Sequence, residues 1–207
     1  YPVNAMGETK ALMEKVAMSH GLNNPNAATT VSCVRYGNVM YSRGSVIPLF
    51  VSQIKAGKNL TVTNPDMTRF MMSLAESVSL VEYAFEHAYQ GDLFVRKAVS
   101  CTIGDLAQAT IELFNSSAKI DVIGTRHAEK VSETLASREE LSRAQDLGEY
   151  FRIRADHRDL NYNVYVDEGN PQQVDYTDYD SHTVPRLTVP QIKDLLLTLP
   201  EIQADLA

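Results

Sequence analysis

The stretch TTVSCVRYGNVMYSRGSVIPLF, residues 29–50, decides the fold. Its first part, Thr29 to Tyr36, is a nearly continuous β-branched and apolar run, the pattern of a strand buried on both faces. Gly37 and Asn38 break that run. After a short turn, Ser45 is placed to cap a helix built on Val46, Ile47, Phe50 and Ile54. A buried strand leading through a turn into an amphipathic helix is a building unit of α/β sheets.

Upstream, Asn4 is placed to cap a first helix, with Glu8 in its first turn and Gly21 at its end. Met6, Met13, Val16 and Ala17 form its apolar stripe, and Lys10 lies on that stripe one turn from Met6. Downstream, short strands are expected at 60–63, 93–95 and 120–123. Ser73 with Glu76 opens a helix carrying Val78, Val81, Phe85 and Ala88 on one face. Thr102 with Asp105 opens another, carrying Ile103, Leu106, Ile111 and Phe114. Ser137 with Glu140 caps a shorter helix, and Thr188 with Gln191 begins a last one bearing Ile192, Leu195, Leu196 and Leu199. Residues 147–180, rich in Tyr and Asp, read as an irregular surface excursion. The alternation of strands and helices predicts an α/β fold with at least one parallel strand.

Composition narrows the function. A chain of 207 residues with 44% hydrophobic content and no long apolar run reads as soluble and globular, without membrane insertion or signal peptide. A net charge of −7 disfavours nucleic acid as a partner. Cys33 and Cys101 have no CxxC or His-spaced partner and read as buried free thiols in a reducing compartment. His20, His87, His127, His157 and His182 are scattered, so no metal site is expected.

Few residues carry chemistry on spacing alone. Lys10 on an apolar stripe reads either as a snorkelling lysine or as a catalytic one. Arg35, Arg43, Arg69 and Arg126 sit in turns or strand ends and could each be ordinary ion-pair arginines. Together, in an acidic chain, they would suit a diphosphate, because guanidinium forks match phosphate oxygens. Glu129, three residues after Arg126, could accept from sugar hydroxyls or stand exposed at a helix start. The residues themselves therefore imply an α/β domain with a possible anion site.

Six segments in order, YPVNAMGETKALMEK, RYGNVMYSRGSVIPLF, MTRFMMS, GDLFVRK, GTRHAEK and DLGEYFRIRADHRDLNY, resemble the extended short-chain dehydrogenase/reductase superfamily. Within it they are similar to the bacterial polysaccharide-biosynthesis branch, the UDP-N-acetylglucosamine 4,6-dehydratases of the capsular type that also invert C5. The resemblance implies the C-terminal part of a Rossmann-like parallel sheet plus a smaller α/β substrate-binding domain. Residues 1–44 would end the dinucleotide-binding domain. Residues 45–146 would be mainly substrate-binding, with segments returning to the sheet, and 147–207 a capsular-type extension.

The same resemblance implies a cytoplasmic enzyme, a homo-oligomer when whole, using NADP rather than NAD on a UDP-sugar. Hydride leaves sugar C4, water is eliminated across C5 and C6, and hydride returns to C6. Met6 and Lys10 match the catalytic Tyr-x-x-x-Lys positions, and Lys10 with Tyr36 matches cofactor contacts. Asn38, Ser42, Arg43 and Ser45 match the substrate turn, Arg69 and Arg126 the diphosphate contacts, and Glu129 a uridine-ribose contact. Met6 departs from the superfamily's tyrosine, since a thioether cannot act as the base, but agrees with the capsular inverting type. Ala128 stands where glycine is commoner. The Gly-rich phosphate loop and Thr-Asp-Lys dehydratase residues are expected before Tyr1. The chain is therefore expected to be the C-terminal part of a larger protein, inactive and aggregation-prone alone. Two other readings stand beside this one: a UDP-hexose 4-epimerase, and a non-catalytic nucleotide-sugar-binding subunit.

Overall fold

The structure, a computed structural model, describes residues 2–127, 129–155 and 177–206. Ala128 and residues 156–176 of the expected excursion lie outside them. In chain order the elements are α1 (Ala5–Asn23), β1 (Cys33–Arg35), α2 (Val46–Lys55), β2 (Leu60–Val62), β3 (Thr68–Met71) and α3 (Leu74–His87). Then follow β4 (Leu93–Arg96), β5 (Val99–Thr102), α4 (Ile103–Leu113), β6 (Ile120–Val122), β7 (Thr134–Ala136) and α5 (Arg138–Leu141). The last are β8 (Ala144–Asp146), β9 (Tyr150–Ile153), β10 (Tyr179–Asp180), α6 (Val189–Leu197) and α7 (Pro200–Leu206).

One sheet runs in the order β1-β4-β9-β8. Cys33 pairs with Leu93 and Arg35 with Val95 in parallel register, so the chain between them is a crossover that includes α3. The β8–β9 hairpin then adds antiparallel strands to β4. Alternation divides the side chains of β4 between two faces. Phe94 packs with Leu80 and Ala84 of α3 and with Tyr150, whereas Leu93 and Val95 pack with Leu135, Leu141 and Ile153. A buried ion pair joins the start of β4 to β9: Asp92 Oδ2 accepts from Arg152 Nε at 2.8 Å and lies 2.6 Å from the second guanidinium nitrogen.

The largest core lies around two smaller pairings, β2 parallel to β6 and β3 antiparallel to β5. Phe50 of α2, Leu60 of β2, Leu106 of α4 and Ile192 with Leu196 of α6 are all buried there. Local chemistry sets the helix starts. Asn4 Oδ1 accepts from Gly7 N–H at 2.9 Å, Ser73 and Glu76 close a capping box, and Thr102 Oγ1 accepts from Asp105 N–H at 2.9 Å. Each cap stabilises its helix by about 1 kcal/mol.

Several expectations are corrected. The strand expected at 29–36 is regular only at Cys33–Arg35 and is half-buried, because β4 is the one strand paired to it among the described residues. On α1, Met6, Met13 and Val16 are 60–66% exposed, and only Met18 and Gly21 are buried. On α3 the buried face is Ser77, Leu80 and Ala84, while Phe85 is 86% exposed and Val78 46%. Small residues let that face approach the sheet, and the larger apolar groups are left outside. The excursion beginning at 147 contains β9 and β10, and residue 147 itself lies in the β8–β9 hairpin. Arg35 is not an anion receptor. Its fork is bound by Glu14 (2.6 and 2.7 Å), by Glu140 (2.7 and 2.8 Å) and by the Leu135 carbonyl, which ties α1 to β1 and α5. Burial opposes the charge, but these partners outweigh it and raise the pKa of the guanidinium.

Candidate functional site

A cavity of about 430 Å³ opens between the start of α2, residues 61–63, β3, the start of α4 and the loop 123–129. Its first wall is the turn after RYGN. Gly37 is required there by close approach, since a Cβ would stand 2.5 Å from the Cβ of buried Phe70. The turn is stitched to the end of β3: Met40 N–H donates to the Met72 carbonyl at 2.8 Å, and Met72 N–H to the Asn38 carbonyl at 3.2 Å. Tyr41 (φ 55) and Gly44 (φ 77) take left-handed conformations that turn the chain into α2.

Ser45 is the N-cap of α2, as expected, but its hydroxyl makes no capping bond. That Oγ is buried with no hydrogen-bond partner among the described residues, and the first turn of α2 holds no acidic residue. The positive end of a ten-residue helix therefore meets the cavity without an internal counter-charge.

The opposite wall follows β6. Ile123 N–H donates to the Val62 carbonyl at 2.8 Å, and Gly124 (φ 87) swings the chain out. Glu129 Oε2 accepts from the backbone N–H of Arg126 at 3.0 Å, which leaves the other carboxylate oxygen and the exposed Arg126 guanidinium without protein partners among the described residues. Arg69 lines the cavity with its fork largely committed. It donates to the carbonyls of Thr68 (2.7 Å), Lys130 (2.8 Å) and Val131 (3.3 Å), with Glu133 4.0 Å from Nε. Arg69 thus holds the segment that carries Glu129. Met67, Val62, Ile103 and Leu106 make an apolar floor. The site combines a cationic rim, a helix N-terminus, a free carboxylate oxygen and a greasy base, which suits an anionic ligand with a flat or apolar part.

Of the residues singled out in the sequence, Asn38, Ser42, Ser45, Arg69, Arg126 and Glu129 line this one cavity. Arg43 is exposed and is not among the lining residues. Met6 (65% exposed), Tyr36 (49%) and exposed Lys10 lie off the cavity. Lys10 makes no hydrogen bond or ion pair among the described residues, so its ammonium is available to a ligand. Sequence reasoning passed over Thr61, Thr63 and Met67, which also line the cavity. The only signal for them was their adjacency to the expected strand at 60–63 and the MTRF segment. Among the described residues there is no cluster of three metal-ligating side chains, and no helix is long and apolar enough to cross a membrane. Cys33 and Cys101 are both free thiols; Cys101 is buried and Cys33 only half-buried.

Comparison with known proteins places the chain in context. A family model described as "Polysaccharide biosynthesis protein" matches residues 1–155, and one described as "Polysaccharide biosynthesis protein C-terminal" matches 156–203. The chain is 53% identical over 206 residues to a protein of Rickettsia rickettsii named UDP-glucose 4-epimerase, and 54% identical to one of the same name from Rickettsia akari. In each case all of this chain aligns with 60% of the relative's length. Among solved structures, that of Pen from Bacillus thuringiensis superposes with a TM-score of 0.81 at 32% identity, over 96% of this chain and 58% of that one. A dTDP-glucose 4,6-dehydratase from Bacillus anthracis in complex with NAD matches with a TM-score of 0.53 at 16% identity, over 62% of this chain and 42% of that one. That last similarity speaks for the Rossmann-like fold alone.

Proposed function

The chain belongs to the polysaccharide biosynthesis protein family, and on that premise we propose that its cavity receives the nucleotide diphosphate of a UDP-sugar as part of an NAD(P)-dependent dehydratase or epimerase. The observation that carries this reading is the convergence of Arg126, Glu129, Ser45 and the N-terminus of α2 on one cavity. Arg126 and the free N–H groups of α2 meet the phosphates, the first by its planar fork and the second through the helix dipole. The Glu129 oxygen that has no partner among the described residues accepts from ribose hydroxyls. Ser45, the N-cap, sets the start of α2 on the cavity wall. Asn38 and Ser42, on the turn, face the sugar, while Arg69 adds charge and fixes the loop.

Within that class we assign a UDP-N-acetylglucosamine 4,6-dehydratase with inversion at C5, acting in capsular or O-antigen synthesis as a homo-oligomer. Met6 supports this reading over the epimerase, because an ordinary epimerase needs a titrating tyrosine where this chain has a thioether. The second reading, a UDP-glucose 4-epimerase, is favoured by the names of the Rickettsia relatives. On the cofactor side one contact is proposed: Lys10, exposed and without a side-chain partner among the described residues, would donate to a nicotinamide ribose, and Tyr36, also exposed, would be a second contact. When bound, the nicotinamide supplies the hydride acceptor and donor. No G-x-G-x-x-G run occurs in the sequence, so no residue of this chain is assigned to the cofactor pyrophosphate.

The test is product analysis by proton NMR after incubation with NADP and UDP-N-acetylglucosamine or UDP-glucose in deuterated water. A 4-keto-6-deoxy sugar with inverted configuration at C5 supports the inverting dehydratase, since deuterium can enter C5 whether or not that centre inverts. A C4 epimer supports the second reading. UDP binding with no product supports the cavity assignment without deciding the reaction, and absence of UDP binding refutes that assignment.

A further inference from the structure

The geometry points to Asp205 of α7 as a positioning residue that holds the cavity turn and α2 in place through Tyr41 and Lys55. Tyr41 stands 164 positions away in sequence, and its hydroxyl donates to Asp205 Oδ2. It is one of two non-glycine residues with positive φ among those described, a conformation that a residue bearing a Cβ seldom adopts unless its surroundings impose it. The next residue, Ser42, lines the cavity, and its carbonyl accepts from Ser45 N–H at 3.0 Å. The other oxygen of Asp205 accepts from Lys55 Nζ at 2.6 Å. Lys55 is the last residue of α2, and Ser45 is its N-cap.

One carboxylate therefore grips both ends of the same unit, the left-handed residue before the turn and the far end of the helix that the turn begins. Its own footing is firm, because Ile202 of α7 is fully buried beside Ile192 and Leu196 in the largest core, against which the Tyr41 ring also packs. Burial and the Asp205 hydrogen bond push the Tyr41 hydroxyl up to about 12, so it remains a donor throughout the physiological range. No other side-chain hydrogen bond or ion pair of Tyr41 or Lys55 exists among the described residues, so the polar part of the grip rests on Asp205. The C-terminal helix thereby sets where Ser45 and the α2 N–H groups stand, although it contributes no residue to the cavity lining.

The proposal rests on the UDP-sugar reading only for its binding readout, so the test has two arms. In hydrogen–deuterium exchange of the ligand-free protein, Asp205→Ala is expected to speed exchange at the hydrogen-bonded amides within residues 41–49, such as those of Ser45 and Leu49, about tenfold, with the rest of the chain little changed. Tyr41→Phe, which leaves the Lys55 pair in place, is expected to reproduce part of this. The double variant should be no worse than Asp205→Ala alone, because Tyr41→Phe removes only a contact that Asp205→Ala already removes. Asp205→Asn, which keeps an acceptor for Tyr41, should restore most of the protection. In titration calorimetry, Asp205→Ala should weaken UDP binding about five- to tenfold and Asp205→Asn much less. Unchanged exchange at 41–49, or acceleration spread evenly over the chain, would overturn the proposal. If the unmutated protein binds no UDP, the nucleotide reading fails, and the exchange arm still decides the positioning role.

Discussion

Replacing Gly37 by alanine puts a methyl group where the structure has no room for it. The new Cβ would lie 2.5 Å from Phe70 Cβ and 3.1 Å from its Cγ. Carbon atoms in contact rest at about 3.5–4.0 Å, so one side must yield by about 1 Å. Neither side yields easily. Phe70 is fully buried, stacks on Tyr179 with ring centroids 5.8 Å apart, and shares a core with Leu93 and Val95. The RYGN segment is fixed before Gly37 by the Arg35 network and after it by the Met40–Met72 hydrogen bond. Overpacking of this kind costs about 2–3 kcal/mol. For a chain of this length that lowers the melting temperature by about 4–12 °C. Differential scanning calorimetry measures it directly. The nearest atom met is a Cβ, so Phe70→Ala relieves only the secondary contact and should not rescue Gly37→Ala. A Gly37→Ala variant melting within 1 °C of the unmutated protein would refute the reasoning.

Three further outcomes follow from the packing and charges. Leu80→Ala, at a fully buried site, should cost about 2–4 kcal/mol in urea unfolding, whereas Phe85→Ser, at an 86% exposed one, should stay within about 0.5 kcal/mol. Asp92→Ala strands the buried Arg152 guanidinium and should cost about 3–5 kcal/mol by the same measurement. Burial works to raise the Glu140 carboxyl, but hydrogen bonds from Arg35 and the Ser137 N–H outweigh it and hold its pKa below the usual 4.5. Its stabilisation is therefore complete above pH 4.5 and is lost as pH falls through the depressed folded value. In Glu140→Gln the urea midpoint should be lower at neutral pH and fall less steeply below pH 4.5.

Helix starts were the most legible part of the fold, because a cap is a local event. Asn4, Ser73, Thr102 and Ser137 all act where their spacing indicated. Helix faces were less legible. Periodicity gives α3 an apolar side at Val78 and Phe85, but the sheet takes Ser77, Leu80 and Ala84, and nothing local signals which side a neighbour will cover. The strands β3, β5, β7 and β9 were missed because they are three or four residues long and defined by distant partners. Six candidate site residues meet in the cavity, and it was the family resemblance rather than their spacing that singled them out as a set. Arginine content alone did not separate Arg126, whose fork has no partner among the described residues, from Arg35, whose fork is bound by two glutamates. That difference arises from carboxylates 21 and 105 positions away. Asp205 was invisible for the same reason.

The central claim is that Arg126, Glu129 and the start of α2 form a nucleotide-diphosphate site. It is tested most directly by titration calorimetry of UDP and of uridine into the protein and its Arg126→Ala and Glu129→Gln variants. The account predicts that Arg126→Ala weakens UDP about tenfold or more while changing uridine little, since the charge-assisted phosphate contact is lost. It predicts that Glu129→Gln weakens both ligands by similar factors, since the ribose is common to them. UDP affinity equal to that of uridine in the unmutated protein, or indifferent to Arg126→Ala, would contradict it.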